Sequence, residues 1–231
     1  EYLMTLLNSN FEEWRRANPD QPLDAFPFST KKMSGSGALF DIDKLKDVSK
    51  NVISRMSADT VYTQAAAWAA VNDPPFHALL TRGPDYSRSI LAIGRGGKKP
   101  RKDIALWTDI KPYLDFMFDE LFLPDNTLPA NVPAADAKSI LSEFETQFDE
   151  NDTPDAFFAK MKALAEQHGY APETKLYKQS PEQYRGHVGD VSMVVRIAVT
   201  GRQNAPDLQS VMHILGAERV RARLRRAANA L

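Results

Sequence analysis

The residues of this chain best equipped to meet another charged molecule are cations gathered in two places. Arg95, Lys98, Lys99, Arg101 and Lys102 lie close together in a loop that also holds Gly96, Gly97 and Pro100. Clustered cations on a backbone that can approach closely suit a phosphate chain. The loop lacks the Gly-Lys-Ser/Thr ending of a P-loop and the Gly-x-Gly-x-x-Gly pattern of dinucleotide folds, so nucleotide binding is not supported. The second group is arginine alone: Arg196, Arg202, Arg219, Arg221, Arg223, Arg225 and Arg226, against Asp207 and Glu218. Val220, Leu224, Ala227 and Leu231 make one narrow apolar stripe, with Arg219, Arg223 and Arg226 on one flank and Arg221 and Arg225 on the other. Such a stripe is expected to pack on its own domain and to present its guanidinium groups outward, to an anion or an RNA. A third run, Lys31-Lys32-Met33-Ser34-Gly35-Ser36-Gly37, could meet the phosphates of ATP if the chain were a small enzyme in its own right. We read it as a turn leading into the helix after Phe40-Asp41.

Other chemistry is missing. There is no Gly-x-Ser-x-Gly, no His-Glu-x-x-His and no cysteine nucleophile. His77, His168, His187 and His213 are scattered without a chelating i, i+4 pair, so no metal site is expected. The carboxylate pairs Asp119-Glu120 and Asp149-Glu150 read as solvated charge, and Trp68, Trp107, Phe116 and Phe118 as core.

The frame for these residues is a soluble globular chain. Its 231 residues are 43% hydrophobic and 26% charged, far from disordered or membrane compositions. No apolar run approaches the roughly 20 residues that span a bilayer, and no signal peptide opens the sequence, so a cytosolic protein is expected. The net charge of -1 conceals the two basic groups behind an acidic stretch, 119–155, in which Lys138 is the only cation.

Apolar residues recur at helical spacing almost throughout: Leu45, Val48 and Val52; Val61, Ala65, Trp68 and Ala69; Ile110, Leu114, Met117 and Leu121; Phe144, Phe148, Phe157, Met161 and Leu164. The fold is therefore expected to be all-α. One stretch, 191–199, is rich in β-branched residues and strand-like, yet has nothing evident to pair with. Helix starts are expected at Ser57, Asp109, Thr153-Pro154 and Pro206-Asp207, and stops at Gly94, Gly169 and Gly216. Pro124, Pro129 and Pro133 mark the strongest domain boundary, and a softer one lies near Met56-Ser57. Tyr2, Leu3, Leu6, Leu7, Phe11 and Trp14 carry helical spacing from the outset, which points to a piece of a larger parent.

The run Val195-Arg196-Ile197-Ala198-Val199-Thr200-Gly201, with Pro206-Asp207-Leu208, Leu215-Gly216, Glu218-Arg219-Val220 and Arg223-Leu224 after it, resembles the closing segment of bacterial glutamyl-tRNA synthetases. Phe28-Ser29, Ser36-Gly37-Ala38-Leu39-Phe40-Asp41 and Lys44-Leu45 resemble the stem-contact region of the same family. The central part, 72–103, and residues 178–190 depart from it. Lys31 to Gly37 is similar to the Lys-Met-Ser-Lys-Ser loop of class I aminoacyl-tRNA synthetases, but Gly35 replaces the second lysine and offers no cation to a phosphate.

The resemblance implies a stem-contact region at 1–56 and two helical anticodon-binding subdomains at 57–130 and 131–231. It implies tRNA(Glu) as partner, with no DNA and no membrane. Arg196, Pro206 and Leu208 would read the anticodon, with Arg202 as a neighbour, because a planar guanidinium can bond or stack on an unpaired base. Arg219, Arg223, Lys98, Lys99, Arg101 and Lys102 would neutralise phosphates. The intact parent would attach glutamate to its tRNA using ATP and magnesium held outside these residues, with no cofactor and no catalytic residue within them. A helical protein-interaction module that no longer binds RNA is the alternative.

Overall fold

The computed structural model describes residues 1–33, 35 and 39–231. Ser34, Ser36, Gly37 and Ala38 lie outside the described residues, and with them part of the Lys31 to Gly37 turn and part of the stem-contact motif. Among the described residues the regular structure is helical: α1 Tyr2–Leu7, α2 Phe11–Ala17, α3 Ile42–Arg55, α4 Ala58–Asn72, α5 Pro74–Arg82, α6 Pro84–Ala92, α7 Ile110–Leu114, α8 Ala134–Gln147, α9 Pro154–Gln167, α10 Thr174–Gln179, α11 Val188–Thr200, α12 Leu208–Leu215 and α13 Ala217–Ala230. Two isolated β-bridges, Asn8 with Met33 and Ala171 with His187, are the only extended pairings among them.

Helices begin where a side chain can accept a bond from an unpaired amide of the first turn. Asp41 accepts from the Asp43 and Lys44 amides, Ser57 from Thr60, Asp73 from Phe76, Thr153 from Ala156 and Asp207 from Ser210. Asp109 stands immediately ahead of α7, as expected. Its carboxylate reaches back to the Ala105 and Leu106 amides, 2.9 Å each, and so fixes a 3₁₀ turn that leads into α7. The strand-like residues 191–199 are helical, inside α11. Val191, Val194, Val195, Ile197, Ala198 and Val199 are buried around much of the helix, against α8, α9 and α13, and this packing overrides the modest cost of β-branched residues in a helix.

The chain forms two compact units, Glu1–Tyr113 and Leu114–Leu231. In the first, Phe11, Trp14 and Phe26 pack ring to ring beside α3, at centroid distances of 5.1–6.0 Å. Helices α4, α5 and α6 pack on one another around Val61, Phe76, Leu80 and Ile90. Residue 56 is not a free linker between these groups. The Arg95 guanidinium donates to the Ile53 and Met56 carbonyls, and the Ser49 hydroxyl donates to the Ala105 carbonyl at 2.6 Å.

In the second unit α8 packs on α11 and α13, α11 on α9, and α12 on α13. Its first residues explain why the division falls at 113/114, ahead of the prolines. Phe116, Met117, Phe118 and Val132 are buried, and the carbonyls of residues 116 and 117 accept bonds from Arg223 and Arg219 of α13. The prolines lie in the stretch without regular structure that leads to α8, and the segment before them belongs to the core of the second unit.

Arg223 is 5% exposed and donates to the carbonyls of Phe116 (2.7 Å) and Val199 (2.8 Å) and to Asp119, with its guanidinium 3.8 Å from the Phe122 ring centre. Replacing it by Ala leaves two buried carbonyls without that donor and opens a cavity, so Arg223→Ala should lower stability by about 3 kcal/mol in urea unfolding, whereas Arg225→Ala should cost under about 1 kcal/mol. Tyr170 is buried, and burial, with a smaller contribution from the neighbouring Asp136, pushes its hydroxyl up to about 12. Because the folded value lies above the ordinary 10, its contribution to stability is complete below pH 10 and disappears as pH rises toward 12. Melting curves of Tyr170→Phe should show a shallower alkaline fall than those of the unaltered chain.

Candidate nucleic-acid interface

In the first unit the turn after α6 is set by Gly94, whose φ of +73° suits glycine, and by the Arg101 amide bonding to its carbonyl at 3.0 Å. Of the five cations in residues 95–102, two are structural. Arg95 is held by the Leu91, Ile53 and Met56 carbonyls, and its pKa is lowered by burial, opposed by Tyr113 and Asp103. Arg101 forms a two-bonded pair with Asp103, 2.7 and 3.1 Å, which raises its pKa. Lys98, Lys99 and Lys102 remain exposed. The loop closes on itself through the Arg101 guanidinium, which sets Arg101 apart from the exposed lysines.

Lys102 also lines a cleft of about 600 Å³ between α2, α3 and this loop. Its cations are Arg15, Arg16, Lys44, Lys50, Arg55 and Lys102, and its carboxylates Glu1, Glu12 and Asp47. Glu1 bonds Arg15 at 3.0 Å and Arg55 at 2.9 Å, and Glu12 holds Lys44. Arg16, Lys50 and Lys102 make no ion pair among the described residues, so they present unneutralised charge to an occupant of the cleft. Sequence reasoning missed this cleft because α2, α3 and the loop are far apart in the chain, and the only sequence signal was an ordinary scatter of Lys and Arg.

In the second unit the structure brings Arg196, Arg202, Pro206 and Leu208 together at the turn between α11 and α12, but in supporting positions. Arg196 donates to the Ala205 (3.1 Å) and Pro206 (2.8 Å) carbonyls. The Thr200 hydroxyl reaches the Arg196 and Arg202 carbonyls, at 2.8 and 3.1 Å. Arg202 pairs with Asp115 and lies over the Phe116 ring at 5.0 Å. Pro206 and Leu208 are buried. Gly201 is left-handed, φ +68°, and a Cβ there would run into the Leu123 carbonyl.

Most arginines of α13 do not face outward as expected, although Arg225 is exposed. Arg219 donates to the Leu215 and Met117 carbonyls, Arg221 to the Phe148 carbonyl, Arg223 inward to the Phe116 and Val199 carbonyls, and Arg225 to Glu145. Arg226 stacks over Phe122 at 4.8 Å, and burial lowers its pKa. The cause is local. Residues 115–123 hold a 3₁₀ turn and irregular backbone whose carbonyls need donors, and a guanidinium offers five.

The pattern of an anticodon-binding domain family matches residues 175–228, the stretch that contains this turn and α13. Over 228 residues, 98% of the chain, the sequence is 49% identical to the glutamate–tRNA ligase of Sorangium cellulosum, and it covers 40% of that protein. The chain belongs with the C-terminal part of the glutamate–tRNA ligases. It is 46% identical over 226 residues to the ligase of Acetivibrio thermocellus, covering 98% of the chain and 41% of that protein. The chain thus spans about two fifths of the length of these ligases. The fold is shared with a solved glutamate tRNA ligase from Elizabethkingia meningosepticum in complex with its amino acid, at a TM-score of 0.57 and 17% identity over 88% of this chain and 35% of that one.

The chain therefore contains two kinds of cation, and stability separates them. Arg95→Ala should destabilise the first unit by about 2 kcal/mol, since three carbonyls lose a charged donor. Lys98→Ala, Lys99→Ala and Lys102→Ala should each change stability by less than about 0.5 kcal/mol. Thermal unfolding of the four variants checks the division.

Proposed function

We propose that this chain binds the tRNA for glutamate, the first unit through phosphates of a stem and the second through the anticodon. The observation that carries this reading is the 49% identity to a glutamate–tRNA ligase along 98% of the chain, together with the anticodon-binding match over 175–228. The cleft between α2, α3 and residues 95–102 supports it physically: Arg16, Lys50 and Lys102 meet its space, with Lys98 and Lys99 exposed on the same loop. Isolated cations along a groove bind a nucleic-acid backbone by releasing its counterions.

The intact ligase would join glutamate to the terminal adenosine of that tRNA in the cytoplasm. ATP and magnesium would be held by residues outside these 231, and the chain alone would make no glutamyl-tRNA. In this reading Arg101, Arg219 and Arg223 shape the protein that the RNA meets, and the exposed lysines supply the charge.

Filter-binding titrations with a tRNA(Glu) transcript at several salt concentrations test the proposal. Affinity should fall linearly with log salt, and replacing Lys98, Lys99 and Lys102 together by Ala should reduce the magnitude of the slope by about 2 to 3. A chain that ignores tRNA(Glu) in dilute buffer, or binds it with no salt dependence, would sink the reading.

A further inference from the structure

Helix α1, Tyr-Leu-Met-Thr-Leu-Leu, is apolar at every position but Thr5, yet none of its residues is buried. It packs on α2 and α3 and is tied to the segment that opens α3. Tyr2 meets Phe40 edge-on at 5.7 Å, and its hydroxyl donates to the Asp41 carbonyl at 3.1 Å and accepts from the Asp41 amide at 2.7 Å. Around this junction Leu3, Leu39, Phe40 and Ile42 are 67%, 88%, 70% and 50% exposed. At the other end of the helix Asn8 bridges to Met33 and donates to the Ser29 carbonyl, beside an exposed Phe28.

Apolar side chains gathered around one short helix are unfavourable in water and mark a surface that something covers. The Tyr2 hydroxyl among them is already bonded within the fold, so a cover would not strand it. A polyanion is a poor occupant, since it brings charge where the face asks for apolar contact. The occupant follows from length. The chain aligns over 98% of its residues with ligases of which it is 40% and 41%, which leaves about three fifths of such a protein outside these residues. A body of that size, joined to this one in a single chain, has an effective concentration that a separate partner rarely matches.

We propose that α1, with Leu39, Phe40 and Ile42, is the seat on which the remaining part of the ligase docks. This rests on the family membership and not on the binding of RNA. The same helix reaches the cationic cleft, since its N-cap Glu1 holds Arg15 and Arg55 there.

The test uses the full-length ligase and the 231-residue chain, with one cysteine introduced at a time; the 231 residues hold none of their own. Leu3→Cys and Phe40→Cys report the face, Val71→Cys is an exposed reference away from it, and Leu80→Cys is a buried one. Each is treated with iodoacetamide without RNA, and the modified peptides are measured by mass spectrometry. In the ligase Leu3→Cys and Phe40→Cys should react about 10-fold more slowly than in the shorter chain, because a thiol under a packed surface reacts only when that surface opens. Val71→Cys should keep its rate. Leu80→Cys should be slow in both proteins; were it fast in the shorter chain, the comparison with Val71→Cys inside the ligase decides alone.

Unchanged rates at Leu3→Cys and Phe40→Cys in the ligase would overturn the proposal, as would equal slowing at Val71→Cys. Slow reaction of the two face cysteines already in the shorter chain, or protection in the ligase that is lost on dilution, would point to a second copy as the cover and overturn it too. Because no RNA is present, failure to bind tRNA(Glu) would sink the functional reading and leave this one standing.

Discussion

A guanidinium bonded to main-chain carbonyls is the interaction on which the C-terminal unit depends. Residues 115–123 enter the core without the regular pairing that a helix gives its own carbonyls, and a buried carbonyl left unpaired costs about as much as a lost hydrogen bond. Arg223 meets one such carbonyl, that of Phe116, together with the Val199 carbonyl of α11 and Asp119, and Arg219 meets a second, that of Met117. Because Phe122 lies under both Arg223 and Arg226, the same charges are stacked on an aromatic face as well as hydrogen-bonded. A lysine could not do this, since its compact ammonium lacks both the planar fork and the stacking surface.

This has a direct bearing on how charge relates to binding. The chain looks richly basic in two places, yet most of the guanidinium groups there are engaged by the protein's own carbonyls, carboxylates and rings. Arg95 plays in the first unit the part that Arg223 plays in the second, joining α3 to the end of α6. The charge left for a polyanion is smaller and differently placed: lysines on a loop, and a cleft whose three cations without an ion pair come from three separate segments. Interior guanidinium groups tie separate segments of the scaffold together.

The residues that carry the family resemblance acquire physical roles in this light. Arg196, Thr200, Gly201, Pro206, Leu208, Arg219 and Arg223 are bonded within the fold, buried, or in a conformation that suits glycine. They define one shape for the turn between α11 and α12 and for the segment beneath it. A motif recognised in a sequence can therefore mark the support of a site instead of its contacts.

The sequence by itself determined the helical class, several helix starts and the ligase family. Those have local causes: apolar residues at helical spacing, oxygen-bearing side chains such as Ser57, Thr153 and Asp207 ahead of a first turn, and a sequence pattern readable in order. Three things were decided only by the tertiary structure. Residues 191–199 became helix because burial around α11 outweighs β-branched preference. The division between units fell at 113/114 because Phe116 and Phe118 are buried in the core that α13 helps to close. The direction of each guanidinium depended on which carbonyls it would meet, and those lie as far as 107 residues away along the chain. Spacing along one helix tells which arginines share a face, but only packing tells whether that face looks toward water or toward the protein.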